Sequence, residues 1–299
     1  MGARGSHVAY ADESNWNVGR YRSVAAVSVP AAEHDRVAER CSDLLAESSV
    51  RELGWKYLTG AKERFAAIKI VDAAIDEACA GNLRVDVLMW DMQDERHRDV
   101  FRRDDAANLS RMYHHLFVSI LRSRWPDGST WSLHPDEQSE VDWTTLERTI
   151  DAKGASLVSR DPALDSLRDL TVEFRLVQLV PRESHLHPLI QVADLFAGIM
   201  PYSYSSYDVF ELWLPSAGDQ ATLDGTTAAP KLTGSDQVRF TVLRHLKDAC
   251  SERKLYVSLK THRGLRTMNP EMPINFWPYE AQSEQDRAPT RRPKWWRDT

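Results

Sequence analysis

Apolar and polar positions along this chain switch repeatedly between the two-residue and the helical period. Residues 7–11 form a short apolar run, and residues 21–29, rich in Val and Ala, form a second one stopped by Pro30. The stretch between them carries Asn15, Asn17 and Gly19 and reads as a turn, so the two runs predict a hairpin. Residues 31–47 change to helical spacing, with Val37, Cys41, Leu44 and Leu45 on one face. Residues 52–58 are short, apolar and aromatic and predict a strand. A helix over 65–80, closed by Gly81-Asn82, leads to a strand over 83–90 that ends at Asp91. A long helix follows over 106–125, then a short strand over 130–133 entering His134-Pro135-Asp136-Glu137. Residues 143–152 read as helix, 170–179 as strand, and 189–202 as a helix interrupted by Pro201. A hairpin followed by alternating helices and strands predicts an α/β domain on a mixed sheet, antiparallel at its start and parallel in its later additions.

The pattern weakens beyond this core. Residues 203–235, rich in Ser, Gly, Asp, Thr and Pro, read as a loop or lid, and 236–254 as a further helix. Residues 287–299 combine Arg291, Arg292 and Lys294 with Trp295-Trp296 and read as a poorly ordered tail. Such a tail could hold single-stranded nucleic acid by charge and stacking, or dock on a partner protein. The expected organisation is a core over 1–202, a lid over 203–235, a helical extension packed on the core over 236–286, and the tail.

Composition narrows the class. A chain of 299 residues, 42% of them hydrophobic, can bury a substantial core. Its net charge of -6 argues against a protein that coats DNA, although ions and local basic groups can still supply a positive field to a nuclease. Cys41, Cys79 and Cys250 are widely spaced and form no CxxC pair, which argues against a disulfide framework or a zinc site and fits a reducing cytoplasm. Residues 1–6 lack the apolar segment of a secretory signal, and no apolar run is long enough to span a bilayer. The expectation is a soluble cytoplasmic protein without a membrane partner.

The chemistry suggested is acidic. Asp12 and Glu13 follow the first predicted strand, Asp91 the fourth, and Asp136 and Glu137 the fifth. Sites in open α/β sheets form beyond strand ends, where carboxylates from separate strands can converge on a hard divalent cation. Each of these residues also has an ordinary reading as a cap or turn residue. Asp194 lies among Leu189, Ile190, Val192, Ala193, Leu195 and Phe196, where a charge needs a partner unless it faces solvent. His187 could act as a general base or phosphate-binding group, or simply be a loop histidine. GxSxG, GxGxxG and Walker A elements are absent from the sequence, which argues against an esterase of that type, a dinucleotide enzyme or a nucleotide-driven machine.

Asp12-Glu13-Ser14 at the first strand and Gln191-Val192-Ala193-Asp194-Leu195-Phe196-Ala197-Gly198 in the late helix resemble the two signatures of the DUF3800 family. Glu52-Leu53-Gly54-Trp55-Lys56, Asp136-Glu137 and Glu183-Ser184 are similar to its intermediate features, with Gly54 as an inserted-looking departure and Asn15 in place of the usual turn glycine. The resemblance covers about residues 7 to 200. It implies an RNase H-like α/β fold: a mixed sheet that starts with an antiparallel hairpin, is flanked by helices and carries a C-terminal extension. It further implies Asp12, Asp136 and Asp194 as ligands of two Mg2+ or Mn2+ ions, Glu13 as a ligand or supporting residue, and Lys56 as a phosphate-binding or charge-balancing group. The activity implied is metal-dependent hydrolysis of phosphodiesters in DNA or RNA, in a setting such as prokaryotic defence. The alternatives are a catalytically silent RNase H-like module that binds nucleic acid, a partner protein or a second copy of itself, and a phosphoesterase acting on a nucleotide or other small molecule.

Overall fold

The computed structural model describes residues 5–93, 105–158, 174–214 and 231–279. Strand β1 (His7–Ser14) pairs antiparallel with β2 (Tyr21–Pro30), and β2 pairs antiparallel with β3 (Arg84–Asp91). Strand β4 (Thr130–Pro135) lies parallel to the other edge of β1, and β5 (Arg175–Leu179) lies parallel to β4. The expected hairpin with later parallel strands is therefore present. A two-stranded ribbon, β6 (Val257–Ser258) with β7 (Arg266–Thr267), precedes β8 (Ile274–Pro278), which adds parallel to β3. The main sheet runs β5-β4-β1-β2-β3-β8.

Both faces of the sheet are covered, which is why its inner strands read as continuous apolar runs rather than alternating ones. On one face, Val8 and Tyr10 of β1 and Val27 and Val29 of β2 pack with helices α1 (His34–Glu47), α2 (Ala61–Cys79), α6 (Pro188–Ser205) and α8 (Gly234–Glu252). On the other, Ala9, Ala11 and Val24 pack with α3 (Asp105–His114), its continuation and α5 (Trp143–Val158). That continuation widens into a π-helix over His115–Leu121 before a last α turn, α4 (Arg122–Arg124). A π segment shifts the helical register and often lies near functional positions.

Pro201 does not interrupt α6. A proline inside a helix leaves the carbonyl four residues back without its N–H partner. That carbonyl belongs to Ala197, and the Ser23 hydroxyl from β2 donates to it at 2.6 Å. Residues 52–58 form no strand. Gly54 is extended, and Trp55–Tyr57 makes one 3-10 turn whose backbone serves α6 instead of a sheet neighbour. The predicted lid is partly helical, because Tyr207–Trp213 forms α7. Residues 215–230, residues 170–173 of the strand predicted over 170–179 and the tail over 287–299 lie outside the described residues. The extension is not helical alone, since β8 joins the main sheet; Asn275 donates from Nδ2 to the buried Asp86 at 3.1 Å and ties β8 to β3. Between α1 and α2, buried Glu77 accepts from both Arg36 and Arg40, with shortest contacts of 2.7 Å. No helix among the described residues is long and apolar enough to cross a membrane.

Candidate functional site

Strand pairing brings the first two acidic positions together. Strand β1 runs to Ser14, so Asp12 and Glu13 lie within it and not after it. Ala11 pairs with Pro135 in the parallel β1–β4 ladder, and the Asp136 N–H donates to the Ala11 carbonyl at 2.7 Å. Asp136 therefore follows directly beside Asp12. Successive side chains of a strand point to opposite faces. Asp12 shares its face with Val8 and Tyr10, the face on which α6 lies, and α6 delivers Asp194 there. Glu13 points the other way. Tyr113 at the end of α3 donates to its Oε2, and Gln138 donates to its Oε1 at 2.7 Å. The turn that follows uses Asn15 at φ 58°, a left-handed conformation that asparagine tolerates and that lets it replace a glycine.

Asp12, Glu13, Glu52, Asp136 and Asp194 line one cavity of about 600 Å³, together with the cationic side chains Lys56 and Arg239. The excess of acid is visible in the ionisation. Burial, followed by the charges of Asp194, Glu13 and Asp136, pushes the Asp12 carboxyl far above the usual carboxylate range. Burial also raises Asp194 to about 7 and Asp136 to about 6, against opposing help from backbone N–H groups and Lys56. Glu13 is raised by burial, with the Tyr113 and Gln138 hydrogen bonds working in the opposite direction. Such a cluster holds protons near neutrality unless a cation takes their place.

The supporting contacts come from two loops fastened to α6. Gln191 accepts from the Leu53 N–H at 2.8 Å and donates to the Ser184 carbonyl at 3.0 Å. Ser184 donates to Glu52 at 3.2 Å. The Trp55 N–H donates to Asp194 Oδ1 at 3.3 Å, while the other oxygen of Asp194 lies against Gly54. A Cβ at position 54 would overlap that oxygen, so the glycine that looked inserted is what makes room for the carboxylate. Gly198 has the same role one turn along, where a Cβ would overlap Trp55.

Five of the expected residues, Asp12, Glu13, Lys56, Asp136 and Asp194, thus meet in one cavity. His187 does not line it. This residue caps α6, and its ring faces Tyr10 at 5.8 Å, beside His34 and His134 on the same tyrosine. Asp91 pairs with Arg20 across the strand ends, its shortest contact being 2.6 Å. The backbone N–H of Glu137 donates to Arg182, and the side chain is not part of the cavity wall. His114 and His115, adjacent on α3 and its continuation, are both half-buried, and neither lines the cavity. His97, Arg102 and Arg103 lie outside the described residues. Tyr113, Gln138, Tyr202 and Arg239 were not expected at the site. Only Gln138, two residues after Asp136, had a local signal; the others arrive through long-range packing.

The donor set consists of carboxylate oxygens, the chemistry that Mg2+ and Mn2+ prefer. Among the described residues, no three His, Cys, Asp or Glu side chains stand close enough to enclose an ion as they are placed.

No family model matches the chain. It is 36% identical over 290 residues to a protein named "Uncharacterized protein ORF2" from Methanothermobacter thermautotrophicus, covering 94% of this chain and 97% of that relative. It is 35% identical over 291 residues to "Uncharacterized protein ORF2'" of the same organism, with the same coverage of 94% and 97%. Identity of this extent along nearly the whole length places the chain in the same family as these ORF2 proteins.

Proposed function

We propose that this chain is a metal-dependent nuclease built on an RNase H-like core. The observation that carries the reading is the convergence of Asp12, Asp136 and Asp194, from β1, the end of β4 and α6, on one cavity whose carboxylates outnumber its cations. The antiparallel β1–β2–β3 meander and the parallel β4 and β5 support the RNase H-like assignment. Asp12, Asp136 and Asp194 would hold two Mg2+ or Mn2+ ions once their side chains turn toward a common point. Bound there, the ions would activate a water for attack on the phosphodiester and stabilise the leaving oxygen. Glu13, fixed by Tyr113 and Gln138, orients the adjoining Asp12 and contributes negative charge. Lys56 offsets part of the charge of Asp194 and Glu52.

Labelled single-stranded and duplex oligonucleotides incubated with Mn2+ test the activity. Cleavage by wild type, and its loss in Asp12→Asn and Asp194→Asn, is expected; variants that cleave as well as wild type sink the proposal.

The spacing of the carboxylates also favours a second reading, a silent module that binds nucleic acid or a protein partner without metal. Calorimetric titration with Mn2+ separates the two, because only the nuclease reading requires cation binding at these carboxylates.

A further inference from the structure

Arg239 is the cavity residue whose surroundings the carboxylate chemistry does not account for. It comes from α8, in the C-terminal extension, and reaches the same cavity as Asp12 and Asp194. Its guanidinium lies over the Trp55 ring at 5.7 Å and the Tyr202 ring at 5.8 Å. Those two rings meet edge to face at 5.2 Å, and the Tyr202 hydroxyl donates to Asp236 at 2.9 Å, so the shelf beneath the guanidinium is fixed.

The polar partners of Arg239 are weak by comparison. One terminal nitrogen makes long contacts to the Trp55 and Lys56 carbonyls, at 3.4 and 3.5 Å. Its Nε is buried without a partner, and its charge acts on Asp236, one turn earlier on α8, with no close ion pair among the described residues. Other arginines of this protein are committed differently: Arg20 to Asp91, Arg22 to Asp105, Arg36 to Glu77 and Arg253 to Asp76. An arginine stacked on aromatic rings is already oriented, and its planar fork matches two oxygens of a phosphate.

We infer that Arg239 is a phosphate clamp and that the cavity takes a short single-stranded phosphodiester segment, with the C-terminal extension completing the site. This rests on the nuclease reading for what happens at the carboxylates, but not for the binding itself. The size of the cavity supports it. At about 600 Å³ it lies within the roughly 300–1,000 Å³ of small-ligand pockets, room for a nucleotide or two of a strand. The placement supports it too. A phosphate on Arg239 sits in the same cavity as the carboxylates, beside the Trp55-Lys56 backbone that Arg239 contacts and that donates to Asp194.

The test is fluorescence anisotropy with the full-length protein and a labelled single-stranded oligonucleotide, in Ca2+ and separately in EDTA. The same strand annealed into a duplex is the comparison. Wild type is expected to bind the single strand at least about tenfold more tightly than the duplex. Arg239→Gln is expected to lose about tenfold to a hundredfold in single-strand affinity, the scale of one charge-assisted bidentate contact. Arg239→Lys keeps the charge and loses the fork, so it should fall between them. Thermal melts establish that the variants are folded, and if Arg239→Gln is not, the Lys variant decides alone. Equal single-strand binding by wild type and the folded variants overturns the inference, as does a wild type that binds no single strand or prefers the duplex. Clamp binding without Mn2+-dependent cleavage would refute the nuclease reading and leave the clamp standing. Cleavage that survives in Arg239→Gln with unchanged affinity would do the reverse.

Discussion

Replacing Asp194 by Asn separates the cost of the carboxylate cluster from its use. Burial and the surrounding carboxylates hold the Asp194 carboxyl at about 7, against an ordinary 3.8. A carboxyl raised in this way favours the native state while it is protonated. That contribution is complete below 3.8 and is lost as pH rises through about 7. At about 1.36 kcal/mol per pH unit, the rise corresponds to an upper bound of about 4 kcal/mol. Asp194 lines the open cavity and is only half-buried, which discounts that bound, so about 1–3 kcal/mol is the working range. Asparagine keeps an oxygen for the Trp55 N–H and carries no charge. In EDTA near pH 8, roughly one unit above the wild-type midpoint, Asp194→Asn should therefore be more stable than wild type by that amount, or roughly 2–6 °C in Tm. Near pH 5 the gain should shrink, because the wild-type carboxyl is already protonated. Mn2+ should narrow or reverse the difference. At about a hundred times its Kd, a bound ligand adds about 2.7 kcal/mol to wild type, against about 1.4 kcal/mol or less for a variant that binds at least about tenfold more weakly. Differential scanning calorimetry at both pH values, with EDTA or Mn2+, reads each arm. An Asn variant less stable than wild type at the higher pH in EDTA, or one that Mn2+ stabilises equally, refutes the reasoning.

Other expectations concern the frame that holds the site. Gly198→Ala should cost about 1–3 kcal/mol, because its methyl overlaps Trp55 and the core must shift; denaturant unfolding measures it, and a neutral result would mean that Trp55 can move aside. Glu77→Gln should cost about 2–4 kcal/mol, since it leaves the fork of Arg36 and the contact of Arg40 without their anion. The Arg36 contact holds the Glu77 carboxyl at about 2, so this contribution is present above the usual 4.5 and fades as pH falls through about 2. Urea midpoints for wild type and variant should therefore converge in strong acid; a difference that persists there contradicts the assignment.

Much of the site was legible in the sequence because its parts lie in strong local patterns. Asp12 interrupts an apolar strand, Asp194 interrupts an apolar helix, and Asp136 ends a short strand. Asn15 was readable as a tolerated glycine substitute, and its φ of 58° agrees. The failures share a cause. Residues 52–58 have the composition of a strand, but their N–H groups were claimed by Gln191 and Asp194, more than a hundred residues away. Pro201 carries a local breaking signal that the Ser23 hydroxyl cancels from another element. His187 sits next to the signature helix in sequence, yet packing turns its ring to Tyr10. Strand β8 is five residues long and ends in proline, too short to stand out without its partner β3.

A two-metal site on these carboxylates requires that they bind a divalent cation. Isothermal titration of Mn2+ into wild type, Asp12→Asn and Asp194→Asn measures this directly. Wild type should bind with proton release. Its affinity should rise as pH increases from about 6 to about 8, because Asp136 near 6 and Asp194 near 7 must give up their protons. Both variants should bind at least about tenfold more weakly, the scale seen on weakening a metal's coordination. The absence of binding by wild type, or the same Kd in all three proteins, would contradict a cation site built on Asp12 and Asp194.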